Sequence, residues 1–93
     1  MSGGVECWRV YFSGHVQGVG FRFRTERLAS EFAVTGCVRN LPDGRVELVV
    51  EGEGDELAAF VRRIESTMAG YIERTEIERE PAGGRFARFE IRT

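Results

Sequence analysis

Residues 7–22 read CWRVYFSGHVQGVGFR and combine three local patterns. Trp8, Val10 and Phe12 alternate with more polar residues, which is typical of a β-strand with one buried face. Three glycines follow within seven positions, and they allow a tight loop whose backbone amides stay accessible to a ligand. From Phe21 onward the apolar spacing becomes helical. This stretch therefore predicts a strand, a glycine-rich loop and the start of a helix in direct succession.

The glycine-rich loop, residues 14–20, has the chemistry of a possible anion site. The helix start after it supplies unpaired N–H donors and the positive end of a helix dipole. Arg22 adds a fixed charge with forked donors suited to phosphate oxygens, and a cation in a first helical turn opposes the dipole unless an anion compensates it. The loop lacks the patterns of nucleotide hydrolases and of dinucleotide-binding proteins. Because such a loop is by itself more often a tight connection, both interpretations stay open at this point.

The rest of the chain predicts six further elements and their connections. After the loop we expect a helix over 21–32, strands over 37–40 and 45–51 joined by a turn at 41–44, a helix over 55–68, and strands over 71–80 and 86–92. The order β-α-β-β-α-β with one extra terminal strand indicates an α+β fold. It favours a ferredoxin-like split β-α-β sandwich, with two helices on one face of a four- to five-stranded, mainly antiparallel sheet. The carboxylates of the strands, including Glu47 and Glu51, are expected to be solvated.

This topology has consequences for residues far apart in the chain. The first and second strands run parallel with the third between them, so their ends lie at the same edge of the sheet. Arg22 and Asn40 are therefore expected to be neighbours, although Asn40 alone would be a common turn residue. Two strand spacings, about 9.5 Å, separate the strands that carry Cys7 and Cys37. A disulfide needs Cα atoms closer than about 7 Å, so we expect free structural thiols.

Composition narrows the functional classes. The 93 residues fit one domain, 1–93, with residues 1–5 expected as a flexible segment. Thirteen Lys and Arg against fifteen Asp and Glu give a formal charge of −2, which disfavours a nonspecific nucleic-acid binder. No targeting segment or transmembrane run is evident, so we expect a cytoplasmic protein, monomeric and without a membrane partner. The strands over 37–40 and 45–51 contain no aromatic residue for base stacking, which disfavours an RNA-binding domain of this fold.

Two longer motifs carry a family resemblance. GHVQGVGFR at 14–22 and GCVRNLPDGRVELVVEG at 36–52 resemble the signatures of the acylphosphatase family, G-x-V-Q-G-V-x-F-R and G-aromatic-V-x-N-x-x-D-G-x-V with a later E-G. The resemblance covers nearly the whole chain. It implies an enzyme that hydrolyses small acyl phosphates to a carboxylate and inorganic phosphate, without a metal or cofactor.

The resemblance also implies roles for individual residues. Arg22 would bind the phosphoryl group, and Asn40 would orient the attacking water. Backbone amides would complete the phosphate site, namely those of His15, Val16, Gln17, Gly18 and Val19. A carboxylate leaving group has a conjugate acid of pKa about 4, so it can depart without a general acid. A noncatalytic module of the same fold that binds anions or acyl phosphates is the alternative.

The chain departs from the family pattern in three places. Cys37 stands where the family usually has an aromatic residue, and His15 replaces a basic residue of the loop. The stretch at 68–71 lacks the family's frequent proline and small polar residues. Since only the backbone amide of His15 is assigned a role, these departures concern packing rather than the expected chemistry.

Overall fold

Two helices lie on one face of a five-stranded sheet in the computed structural model, which describes residues 4–93. In chain order the elements are β1 (Val5–Gly14), α1 (Phe21–Ala29), β2 (Thr35–Asn40), β3 (Val46–Glu53), α2 (Gly54–Thr67), β4 (Ile72–Glu80) and β5 (Phe89–Arg92). The strand order is β4-β1-β3-β2-β5, and only the β2–β5 pair is parallel. The predicted ferredoxin-like order with one extra strand is confirmed.

The main core lies between the helices and the sheet. It is built from alternating residues of the strands and one stripe of each helix, including Val10, Phe12, Leu48, Phe21 and Phe60. The rings of Phe12 and Phe21 are 5.2 Å apart, so the start of α1 is held directly against β1. Each such fully buried side chain stabilises the fold by about 1.5–3 kcal/mol relative to an exposed one.

Helix α1 is shorter than predicted. It ends at Ala29 rather than at residue 32, and the next three amides, those of residues 30–32, bond to the carbonyls of residues 27–29. These i→i+3 bonds tighten the chain into a turn of 3₁₀ type. Phe32 still packs against the core from this turn, which explains why the apolar spacing continues beyond the helix.

The face of the sheet opposite the helices is partly covered by a strap, which we define as residues 81–88. Phe86 of the strap packs on a second small cluster formed by Cys7, Cys37 and Val49. The Gly83 amide donates to Glu51 Oε2 over 3.1 Å. The prediction that Glu47 and Glu51 are solvated was wrong, because they are only 5% and 4% exposed on this face.

The two ends of the described chain are both held by the sheet. Val5, the last residue of the segment predicted to be flexible, pairs with Glu53 in β1–β3, while residues 1–3 of that segment lie outside the described residues.

Both cysteines are free and buried, on β1 and β2 with β3 between them. No helix within residues 4–93 is long and apolar enough to cross a membrane.

Candidate active site

A cavity of about 210 Å³ lies where the glycine-rich loop, the start of α1, the end of β2 and strand β5 meet. Its lining includes Arg22 and Asn40 together with Gly18 and Ile91. The structure therefore brings the two residues into one cavity, although they lie on different elements. A wider groove of about 720 Å³ runs along α1 next to it. That groove contains neither Arg22 nor Asn40, so the smaller cavity is the candidate active site.

The loop holds its shape through glycines in a left-handed conformation. Gly18 has φ 79° and Gly20 has φ 77°, values that are costly for a residue with a Cβ. Gly20 also begins α1, since its carbonyl accepts the Arg24 amide over 3.0 Å. The backbone amides of residues 16–19 donate to no other described residue. They are available to an anion.

The backbone amide of His15, one of the five predicted to bind the phosphoryl group, has a hydrogen-bond partner within the protein. Its backbone amide already donates to the Tyr71 carbonyl over 2.9 Å, and an amide has only one proton to give. This bond ties the beginning of the loop to the connection between α2 and β4. Of the five loop amides in the prediction, four have no acceptor among the described residues, namely those of Val16, Gln17, Gly18 and Val19.

Arg22 is half-buried in the first turn of α1, where no acidic residue is present. Its Nη1 donates to the Arg92 carbonyl at the end of β5 over 3.0 Å. A guanidinium has five N–H donors in a planar fork, so this bond orients the group and leaves donors free. Strand β5 thus positions the cation that the sequence predicted to lie beside the loop.

Asn40 ends β2, where it pairs with Val46 of β3. Its carboxamide has no hydrogen-bond partner among residues 4–93, and the side chain is half-buried at the cavity. The following turn is held by Asp43, whose carboxylate accepts the amide and the Nε of Arg45. These two contacts lower the pKa of Asp43. The turn therefore fixes the backbone next to Asn40 without using its side chain.

The Gln17 side chain has a role that sequence reasoning missed. Its Nε2 donates to the carbonyls of Leu41 and Arg45, over 2.8 and 2.9 Å. One amide group thus joins the glycine-rich loop to the turn that follows Asn40. In the sequence, only the residue type pointed to this role, because the carboxamide of a glutamine has two N–H donors and can bridge two carbonyls. Which carbonyls it reaches depends on the assembled sheet.

Comparisons with known proteins place this chain in one family. A model of the acylphosphatase family matches residues 8–91. An acylphosphatase of Rubrobacter xylanophilus is 49% identical over 85 residues, covering 90% of this chain and 77% of that protein. One from Syntrophobacter fumaroxidans is 46% identical over 84 residues, covering 88% and 86%. The crystal structure of acylphosphatase from Bacillus subtilis superimposes with a TM-score of 0.85 at 28% identity, covering 95% of this chain and 99% of that one.

Proposed function

The chain belongs to the acylphosphatase family and is an acylphosphatase, and from this premise we propose how its residues divide the work. The loop amides and Arg22 bind the phosphoryl group of a small acyl phosphate. Asn40 orients the attacking water, and the reaction needs no metal. The observation that carries this proposal is the shared cavity, in which Arg22, Asn40 and the loop meet.

The phosphoryl group is bound by donors that need little rearrangement. Four loop amides have no protein acceptor among the described residues, and Arg22 is already oriented by the Arg92 carbonyl. The first turn of α1 adds the positive end of the helix dipole. Phosphoryl transfer depends mainly on positioning and on stabilising charge on the phosphoryl oxygens. This arrangement of donors supports both.

The reaction itself requires one water molecule. A water hydrogen-bonded to the free carboxamide of Asn40 attacks phosphorus, while the bond between phosphorus and the carboxyl oxygen breaks. The carboxylate leaves with that electron pair and needs no proton, because its conjugate acid has a pKa of about 4. A phosphoryl oxygen accepts the proton lost by the water. The products are the free carboxylate and inorganic phosphate.

Phosphate release from benzoyl phosphate, measured in the presence of a chelator, tests these assignments. We expect hydrolysis by the unmodified chain and a fall in kcat of at least about 100-fold in Arg22→Ala and in Asn40→Ala. Arg22→Lys keeps the charge but loses the fork, so we expect it to remain well below the unmodified chain.

Arg24→Ala is the matched control, since it removes an exposed arginine from the same helix. It should retain kcat within about twofold. Full activity of folded Asn40→Ala would contradict the assignment of the water to Asn40. Loss of activity on chelation would contradict the metal-independent reaction. Phosphate binding without any hydrolysis would favour the noncatalytic module instead.

A further inference from the structure

A second polar cavity, of about 230 Å³, lies on the opposite face of the sheet from the helices. Four arginines line it, namely Arg9, Arg39, Arg85 and Arg92. Of the described residues, Glu47 contributes the only carboxylate to the lining. Arg85 belongs to the strap, which covers part of this face of the sheet, and the other three arginines belong to β1, β2 and β5. The catalytic proposal uses none of these side chains.

The register of the strands brings like charges together here. Arg39 of β2 is paired directly with Arg92 of β5, and like charges in directly opposed positions destabilise a sheet. On its other side Arg39 is paired with Glu47 of β3. The Arg39 Nε donates to Glu47 Oε1 over 2.7 Å, and Arg9 Nη1 donates to Glu47 Oε2 over 2.9 Å. Both oxygens of this buried carboxylate are thus occupied by the two guanidinium groups.

The other carboxylates near this cavity leave some of the arginine N–H donors without an acceptor among the described residues. Glu80 accepts from Arg9, and Glu90 accepts from Arg92. Arg39 donates through its Nε alone to the described residues, which leaves both of its terminal nitrogens free. In the part of the chain that the structure describes, Arg85 donates a hydrogen bond only to the Cys7 sulfur, over 3.5 Å, while a Glu80 oxygen lies 3.8 Å from the Arg85 Nη2.

We propose that this cavity is a second anion site, which binds a small oxyanion of charge −2 or more between Arg39 and Arg92 with Arg85 above them. Guanidinium forks match the paired oxygens of a phosphate or of a polycarboxylate. The anion would relieve the repulsion between the two opposed arginines. Because the site lies behind β2 and β5, a ligand there does not occupy the cavity that holds Arg22 and Asn40.

Binding is tested by titrating the ¹⁵N-labelled Arg22→Ala chain with inorganic phosphate, and separately with citrate, at constant ionic strength set with NaCl. On the proposed function, the Arg22→Ala background is expected to weaken binding at the catalytic cavity. We expect saturable NMR shifts of the amides of Cys37, Arg39 and Val49, distinct from any at Gly18. Adding Arg39→Gln or Arg92→Gln should weaken this binding by about tenfold or more.

Arg63→Gln is the matched control. Arg63 lies on α2, is 48% exposed against 47% for Arg39, and likewise has one carboxylate partner, Glu31. It should leave the affinity unchanged. The proposal is overturned if neither anion gives saturable shifts at these amides. It is also overturned if Arg63→Gln weakens binding as much as Arg39→Gln. That result would mean that the anion is attracted by the positive charges of the protein in general and not by this cavity.

Discussion

Gln17 links the two halves of the catalytic cavity through a single side chain. Its Nε2 spans the Leu41 and Arg45 carbonyls, and Leu41 is the residue after Asn40. We expect Gln17→Ala to lower kcat/KM for benzoyl phosphate by about tenfold and stability by about 1 kcal/mol. Gln17→Glu keeps the size but cannot donate, so its effect should be at least as large. Steady-state kinetics and urea unfolding of the two variants measure these effects, and unchanged kinetics in both would contradict the linking role.

Thr25 contrasts with Gln17, because its side-chain hydroxyl is buried without a hydrogen bond to any described residue. The residue is fully buried in α1, and its Oγ1 has no hydrogen-bond partner within residues 4–93. Replacing it by valine removes an unsatisfied hydroxyl at nearly constant shape. We therefore expect Thr25→Val to raise the free energy of unfolding by about 1 kcal/mol. Urea unfolding measures the change, and a destabilised variant would show that the hydroxyl is satisfied in solution. Thr25→Ala, which also leaves a cavity, should be less stable than Thr25→Val.

At the scale of the elements, the strap packs against the two buried cysteines through Phe86. Burial raises the pKa of both Cys7 and Cys37, so each reacts slowly until the strap opens. Glu51→Ala removes the acceptor of the Gly83 amide. We expect it to speed labelling by an aromatic disulfide reagent about tenfold at constant pH.

The exposed Glu53 at the end of β3 supplies the control for this experiment. Glu53→Ala should label at the rate of the unmodified chain. Circular dichroism separates opening of the strap from global unfolding. An unchanged labelling rate in folded Glu51→Ala would show that the strap is held by its other contacts, such as the packing of Phe86.

For the molecule as a whole, the buried carboxylate of Glu47 makes stability depend on pH. Burial alone would raise the pKa of Glu47, but hydrogen bonds from Arg39 and Arg9 outweigh it and hold the pKa below the ordinary value of 4.5. A carboxyl group with a lowered pKa contributes stability above its unfolded pKa and loses it as the pH falls through the folded pKa. Acid should therefore weaken the fold below about pH 4.5.

The variant Glu47→Gln isolates this contribution. We expect it to be less stable near pH 7 by about 1–3 kcal/mol and to lose less stability between about pH 6 and pH 3. Urea unfolding across that pH range measures both effects. Glu76→Gln is a suitable control, because Glu76 pairs only with the exposed Arg74 among the described residues. Parallel pH curves for Glu47→Gln and the unmodified chain would exclude Glu47 as the titrating group.

Much of the molecule could be predicted from local patterns. The alternation at Trp8, Val10 and Phe12 identified β1, because a strand turns successive side chains to opposite faces. In β3 the alternation correctly placed Glu47 and Glu51 on the face opposite the helices, but the expectation that they are solvated there was wrong. Glu51 accepts the Gly83 amide of the strap, more than thirty residues away in the chain, and Glu47 accepts from Arg9 of β1 and Arg39 of β2. No short-range pattern contains these contacts.

The sequence by itself determined the order of the elements, the glycine-rich loop and the family, since periodicity, backbone freedom and motifs are properties of neighbouring residues. Only the tertiary structure decided which amides stay free, that β5 orients Arg22, and that Arg39 lies beside Arg92. The physical reason is the same in each case. A hydrogen bond or ion pair between distant segments depends on the register of the assembled sheet, and register is fixed only when the whole core packs.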